Sequence, residues 1–274
     1  MGKYRYIIFD ADHTLIDFQK DERRAFRAAL SGIPPVKSCG EVSNAGIPPI
    51  GGDKGAGSDI PLSDAGIYPP NADMPSVDEE IVRKMQAYSL RNWTELGLDD
   101  VNDEVIQREY HTRTYAHVRA LFEHAVKRYG LEDAEGAARI FLKTLCLPAN
   151  PIEDALQIVK ALAEKYKVCI ATNGLSEMQR GRLLEFHPYL YRYFISEEMN
   201  TIKPAEAFGK IMFDALKAGP EECLFIGDSL TSDIALANKL GMDCIWYNPA
   251  GRALPDGIKT AAQIKTLGEL FKYI

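Results

Sequence analysis

The chain has 274 residues, a formal net charge of -7, 46% hydrophobic and 26% charged residues. That length holds one large domain or two modest ones, and the composition is that of an ordinary soluble globular protein. The acidic balance excludes the basic footprint of a nucleic-acid-binding surface, so a small anionic substrate would need local positive charge from Lys, Arg or a metal.

The first element expected is a buried strand over the apolar run Tyr4 to Phe9. It ends in two carboxylates, Asp10 and Asp12. Such groups are costly at a strand end unless something uses them, and open α/β sheets bind ligands just beyond the carboxyl ends of their strands. Asp10 and Asp12 therefore read as the mouth of a site, with Thr14 supporting the turn. The plainer alternative is a turn with solvated acids. Asp21 to Leu30 reads as a helix. Residues 31–76 then hold 8 Gly and 8 Pro with one aromatic, Tyr68. This segment lacks a helical period and reads as an extended or flexible insert, tolerated or partner-binding.

Helical patterning resumes at Val77. Stripes fall at Ile81, Met85 and Tyr88; at Val118, Leu121, Phe122, Ala125, Val126 and Tyr129; and at Ala137, Ala138, Phe141 and Leu145. From Pro151 the pattern alternates. Helices are expected over Asp154 to Tyr166, from Ser176 (with Gln179 completing a capping box), over Ala205 to Ala218, over Ser232 to Leu240 and over Leu267 to Ile274. Strands are expected at Val168 to Ala171, Tyr193 to Ser196, Cys223 to Ile226 and Cys244 to Tyr247. Strands alternating with helices give a doubly wound, Rossmann-like parallel sheet of α/β class. The expected division is an α/β core from 1–20 and 146–274, with an all-helical module at 21–145 inserted into it.

Five cysteines (Cys39, Cys146, Cys169, Cys223, Cys244) show no paired spacing, which fits a reducing compartment. The first residues enter a strand at once, and no apolar run is long enough to span a membrane. A cytoplasmic protein that binds no membrane is expected, as a monomer or weak homodimer.

Four polar clusters follow strands or the loops near them: Asp10, Asp12 and Thr14; Thr172 and Asn173; Lys203; and Asp228 with Ser229, Ser232 and Asp233. Doubly wound topology brings all four to one sheet edge. Carboxylates gathered there repel one another, so a cation should join them. Oxygen ligands of this kind suit Mg²⁺, which keeps waters and shares itself with a phosphate. Lys203 can neutralise a phosphoryl oxygen, and Thr172 and Asn173 can donate hydrogen bonds to others. Asp10 as nucleophile would give an aspartyl-phosphate. Asp12 could protonate the leaving oxygen and then activate water.

These residues resemble the four motifs of the haloacid dehalogenase superfamily of phosphohydrolases: Asp10-Ala11-Asp12-His13-Thr14, Thr172-Asn173-Gly174, Lys203, and Gly227-Asp228-Ser229 through Asp233. The superfamily's helical cap, inserted after the first motif, matches the module at 21–145. The resemblance implies Mg²⁺ held by the Asp10 and Asp228 side chains and the Asp12 backbone carbonyl, with Asp233 orienting metal-bound water or a ligand. The dehalogenases lack an acid at the position of Asp12, so dehalogenation is not expected.

Phe9-Asp10-Ala11-Asp12, Ile195-Ser196-Glu197-Glu198, Ser232-Asp233-Ile234 and Trp246-Tyr247-Asn248 with Gly257-Ile258 are similar to the pyrimidine 5′-nucleotidase group. That group's substrates are dUMP, UMP, dTMP and non-standard analogues, so a nucleoside monophosphate is the favoured substrate. Alternatives are a phosphatase or phosphomutase acting on sugar phosphates or phosphoglycolate, or a non-catalytic binding protein on the same scaffold. His13 departs from the pattern, standing where the superfamily usually has Gly. Trp93, Tyr110, Arg113 and Tyr115 could contact the substrate from the cap or serve only to pack it.

Overall fold

The computed structural model describes residues 3–31 and 77–274; the Pro/Gly-rich insert lies outside the described residues, and so does Cys39. Strand β1 (Tyr6–Phe9) leads to helix α1 (Phe18–Leu30). Helices α2 (Glu79–Glu95), α3 (Glu104–Tyr129) and α4 (Ala134–Leu145) follow. The chain then alternates through α5 (Ala155–Ala163), β2 (Lys167–Thr172), α6 (Ser176–Arg182), β3 (Arg192–Ile195), α7 (Ser196–Met199), α8 (Glu206–Leu216) and β4 (Cys223–Gly227). One π turn over Leu230–Ile234 opens α9 (Ala235–Leu240), and β5 (Asp243–Tyr247) and β6 (Ala262–Ile264) complete the sheet.

The sheet order is β3-β2-β1-β4-β5-β6 with every pair parallel. Its strands are apolar on both faces because helices cover both. Ile7, Phe9, Val168, Ile170, Leu224 and Ile226 pack on one side against Ile158, Val159 and Leu162 of α5. Tyr6, Ile8, Cys169, Ala171, Cys223, Phe225, Cys244 and Trp246 pack on the other against Phe208, Met212 and Leu216 of α8. The order reverses at β1, so the crevice of a doubly wound sheet opens beyond the ends of β1 and β4.

Helices α1 to α4 form a separate core of Phe26, Val82, Met85, Val118, Leu121, Phe122, Phe141 and Leu145. Asp17, Asp78, Asp103 and Asp133 cap their N-termini through side-chain hydrogen bonds to backbone N–H groups. Helix α1 starts earlier than the expected Asp21, because Asp17 is the cap. This cap module rests on the sheet domain through Leu98, Val101, Ile106 and Tyr110 packed on Ile202. The final expected helix is a 3-10 segment over Leu267–Lys272. None of the described helices is long and apolar enough to cross a membrane.

Candidate active site

At the end of β1 the backbone N–H of Asp10 donates to Ile226 O at 2.9 Å, which fixes Asp10 at the switch point between β1 and β4. The chain then folds tightly: Leu15 N and Ile16 N both return to Ala11 O, at 2.9 and 3.1 Å. This turn places His13 at φ +60°, a left-handed conformation natural to Gly but one in which His is also enriched. The conformation accounts for the departure at His13. Thr14 does more than support the turn, since its hydroxyl donates to Asp228 Oδ1 at 3.3 Å and ties the first motif to the last.

Lys203 lies on the loop between α7 and α8 and is 1% exposed. Its ammonium donates to Asp10 Oδ1 at 2.6 Å, Asp233 Oδ1 at 2.7 Å and Ala171 O at 2.7 Å, which uses all three of its protons. Burial alone would lower its pKa, but the Asp10 and Asp233 charges outweigh burial and raise it. Lys203 is therefore a fixed cation. Asn173 clamps its backbone: Asn173 Oδ1 accepts from Lys203 N at 2.8 Å, and Nδ2 donates to Lys203 O at 3.0 Å. The Asn173 amide thus spends one N–H on positioning Lys203 and keeps the other. The Thr172 oxygen accepts from Gln179 Nε2 at 3.0 Å, which leaves its own proton to donate.

Carboxylate oxygens of Asp10, Asp228 and Asp233 lie within 4.8 Å of one another. Ser229 N and Ser232 Oγ also donate to Asp233, at 3.0 and 3.2 Å. Three carboxylates face one lysine. Burial, only partly offset by Lys203, and the neighbouring acids hold the Asp10 carboxyl well above its ordinary value. Burial and the Asp233 charge push Asp228 up to about 6. An oxygen-only cluster with this excess of negative charge fits a hard divalent cation.

The Asp12 carboxylate turns away from this cluster. Its Oδ1 accepts from Arg182 Nη1 at 2.5 Å, and its Oδ2 accepts from Gln179 Nε2 at 2.7 Å. Burial would raise its pKa, but Arg182 and Gln179 prevail and leave it below the ordinary range.

The capping box expected at Ser176 and Gln179 does not form. Leu175 is the N-cap residue, the Ser176 hydroxyl donates to Glu198, and Gln179 reaches back to Asp12 and Thr172 instead. Arg182, absent from the sequence-based site, stands three residues further on the same helix face. Gln179 and Arg182 are the two buried residues of this short helix, whose other members are half-buried or exposed.

Among the four cap candidates, Arg113 is committed to Glu109 and Leu96 O, at 2.8 and 2.7 Å. Tyr115 is half exposed and reaches Glu197 at 3.5 Å. Trp93 stands edge-on to Tyr110 and His117, with centroids 6.0 and 5.3 Å away. Tyr110 is buried, and its phenol is pushed up first by burial and then by the charges of Asp12 and Asp10. Its hydroxyl makes no hydrogen bond among the described residues and faces the field of the two carboxylates.

A sequence model of the haloacid dehalogenase-like hydrolases matches residues 4–241. The chain is 28% identical over 251 residues to the pyrimidine 5′-nucleotidase PynA of Streptococcus pneumoniae, covering 90% of this chain and 84% of PynA. It is 28% identical over 152 residues to the pyrimidine 5′-nucleotidase YjjG of Escherichia coli, covering 54% of this chain and 67% of YjjG. Its fold superposes on the magnesium-bound crystal structure of the HAD-hydrolase YfnB of Bacillus subtilis with a TM-score of 0.68 at 24% identity, over 99% of this chain and 98% of YfnB. The chain belongs to the haloacid dehalogenase-like hydrolases and is a phosphoric monoester hydrolase.

Proposed function

We propose that this enzyme hydrolyses (deoxy)pyrimidine nucleoside monophosphates through a phosphorylated Asp10, with Mg²⁺ bound. The observation that carries the reading is the Lys203 ammonium, 2.6 Å from Asp10 and 2.7 Å from Asp233 inside a cluster of three carboxylates. That cluster sets a nucleophile beside fixed positive charge, which supports a phosphoryl-binding site. Asp10 and Asp228 would hold Mg²⁺ by their carboxylates and Asp12 by its carbonyl, with Asp233 orienting its ligands; the bound ion would supply positive charge to phosphoryl oxygens.

The chain's own groups do the rest. Lys203 balances a phosphoryl oxygen, and the free protons of Thr172 and Asn173 donate to others. The Asp10 oxygen attacks phosphorus as the ester oxygen departs, taking a proton from Asp12. Arg182 and Gln179 hold the Asp12 carboxylate ionised in the free enzyme, so it must first accept that proton. Water, losing a proton to Asp12, then attacks phosphorus, which releases phosphate and restores Asp10. Stabilisation of developing charge by groups already in place supplies most of the acceleration. We place the cap at 21–145 and the core at 1–20 and 146–274. Tyr110, which feels the charges of Asp12 and Asp10, and Trp93 edge-on to it would meet the nucleoside. Similarity to two pyrimidine 5′-nucleotidases supports the choice of substrate.

The test is phosphate release, with and without Mg²⁺, from dUMP, UMP, dTMP, purine nucleotides, sugar phosphates and phosphoglycolate. Mg²⁺-dependent release selective for pyrimidine monophosphates is expected. Preferential release from sugar phosphates or phosphoglycolate would overturn the substrate class while keeping the chemistry. Isomerisation of sugar phosphates without net release would replace hydrolase by phosphomutase.

A further inference from the structure

Arg182 is 1% exposed, yet its guanidinium joins three parts of the molecule. Nη1 donates to Asp12 Oδ1 at 2.5 Å and to Gln179 Oε1 at 3.3 Å, and Nη2 donates to Asp21 Oδ2 at 3.1 Å. Its Nε has no hydrogen-bond partner among the described residues. Asp21 belongs to α1, where the chain leaves the sheet domain for the cap. The other Asp21 oxygen accepts from Asn150 N at 3.0 Å and Asn150 Nδ2 at 2.7 Å. Asn150 lies where the chain returns, and its carbonyl accepts from Asp17 N at 2.8 Å on the outgoing segment. Arg182 O also accepts from Ala149 N at 3.0 Å, and Arg24 Nη1 donates to Pro148 O at 3.0 Å. Both crossings between cap and core therefore meet at the arginine that holds Asp12.

Stability alone gives a poor reason for this arrangement. Burying an arginine between two carboxylates costs desolvation that their attraction barely repays, and apolar side chains of similar volume often serve as well. What the pairing does provide is a rigid, bidentate geometry between segments far apart in sequence. We infer that Arg182 is a positioning residue that couples the two cap crossings, through Asp21 and Asn150, to the Asp12 carboxyl, so that the orientation of the cap sets where Asp12 points. This inference rests on the proposed role of Asp12 as proton donor to the leaving oxygen. With both Asp12 oxygens held by Arg182 and Gln179, the carboxyl must be released or shared before it meets a leaving group. A shift of α1 that moves Asp21 draws on the same guanidinium and can do that.

The experiment compares kcat/KM, which reports the step that expels the leaving group, for two esters. A nucleoside monophosphate expels an alkoxide that needs a proton, whereas p-nitrophenyl phosphate expels a phenolate that does not. Asp12→Asn, Arg182→Met and Asp21→Asn are measured beside the wild type. The isosteric Asp21→Asn retains hydrogen-bonding atoms toward Asn150, so it keeps the test open if Arg182→Met fails to fold. Asp12→Asn should lower the nucleotide rate far more than the aryl rate. Arg182→Met and Asp21→Asn should show the same split, with the nucleotide falling at least about tenfold further than the aryl ester. In the Asp12→Asn background, Asp21→Asn should add no further split. An equal fall on both esters in Arg182→Met and Asp21→Asn, beside a split Asp12→Asn, would overturn the coupling and leave a merely structural pair. An unsplit Asp12→Asn would overturn the acid assignment itself, and the coupling with it.

Discussion

Asp10 shares one buried ammonium with Asp233 and crowds against Asp228, so its negative charge works against the fold unless a cation and a phosphoryl group use it. Replacing Asp10 by Asn removes both the nucleophile and part of that repulsion. Asp10→Asn is expected to lose about 10³-fold or more in kcat while its melting temperature stays level or rises; substantial turnover in this variant would remove the nucleophile assignment. Tyr110 offers a second test at this scale. Tyr110→Phe keeps the ring packing and deletes a hydroxyl that has no partner among the described residues, so stability should hold while kcat/KM for nucleotides falls roughly fivefold to tenfold, the worth of one hydrogen bond. Unchanged kinetics would assign Tyr110 to packing. Asp10, Asp12, Lys203, Asp228 and Asp233 could be read from the sequence because each follows a strand or a short loop in an α/β alternation. Arg182, Gln179 and Asp21 could not, because their meaning depends on contacts 161 to 170 residues apart. The hydrogen-bonding chemistry of Asn173 is legible in the sequence, whereas the loop geometry that turns one side of its amide to Lys203 is not.

Helix α6 shows how an element carries the site. Gly181 lies against the returning crossing, and a Cβ there would stand 1.9 Å from Cys146 O. Backbone on both sides cannot yield as a flexible side chain would. Gly181→Ala is expected to cost about 1–3 kcal/mol in urea unfolding and to lower nucleotide turnover by displacing Arg182. Stability and kinetics like wild type would mean that the crossing can move freely. In the cap, Phe26 is fully buried 4.7 Å from the Phe141 ring, so Phe26→Ala should cost about 3–5 kcal/mol. A cost below about 1 kcal/mol would deny the cap its own core. Element types were legible where periodicity was strong, as in β1, β2, β4, α3 and α4. Strand β6 is too short for a period to show. The buried stripe of α2 runs through Val82, Met85, Ser89 and Asn92, one position off the expected Ile81, Met85 and Tyr88. Its polar members hide it: Ser89 donates to Glu22 at 2.6 Å, and Asn92 meets His117 at 2.9 Å.

Over the whole molecule, the carboxylate cluster ties stability to pH and to metal. The Asp228 carboxyl is raised to about 6 in the fold, above its ordinary value of 3.8. A raised carboxyl gives stability that is full below its unfolded pKa and lost as pH rises through its folded one. Without metal, this group therefore weakens the protein between about pH 4 and pH 6 and leaves it strained above. A bound divalent cation prefers the ionised form and reverses the effect. Mg²⁺ should raise the melting temperature clearly at about pH 7.5 and little at about pH 5, and chelation should undo the gain. Equal shifts at both pH values would place the ion elsewhere.

The covalent step is the centre of this account, and chemical trapping reaches it most directly. The enzyme would be quenched during turnover of ³²P-labelled dUMP with Mg²⁺, and the protein reduced with borohydride, which turns an aspartyl-phosphate into homoserine. Peptide mapping should then find protein-bound label before reduction and homoserine at position 10 after it, with neither in Asp10→Asn. Phosphate released at full rate with no label on the protein, or homoserine at another aspartate, would contradict the mechanism drawn from this site.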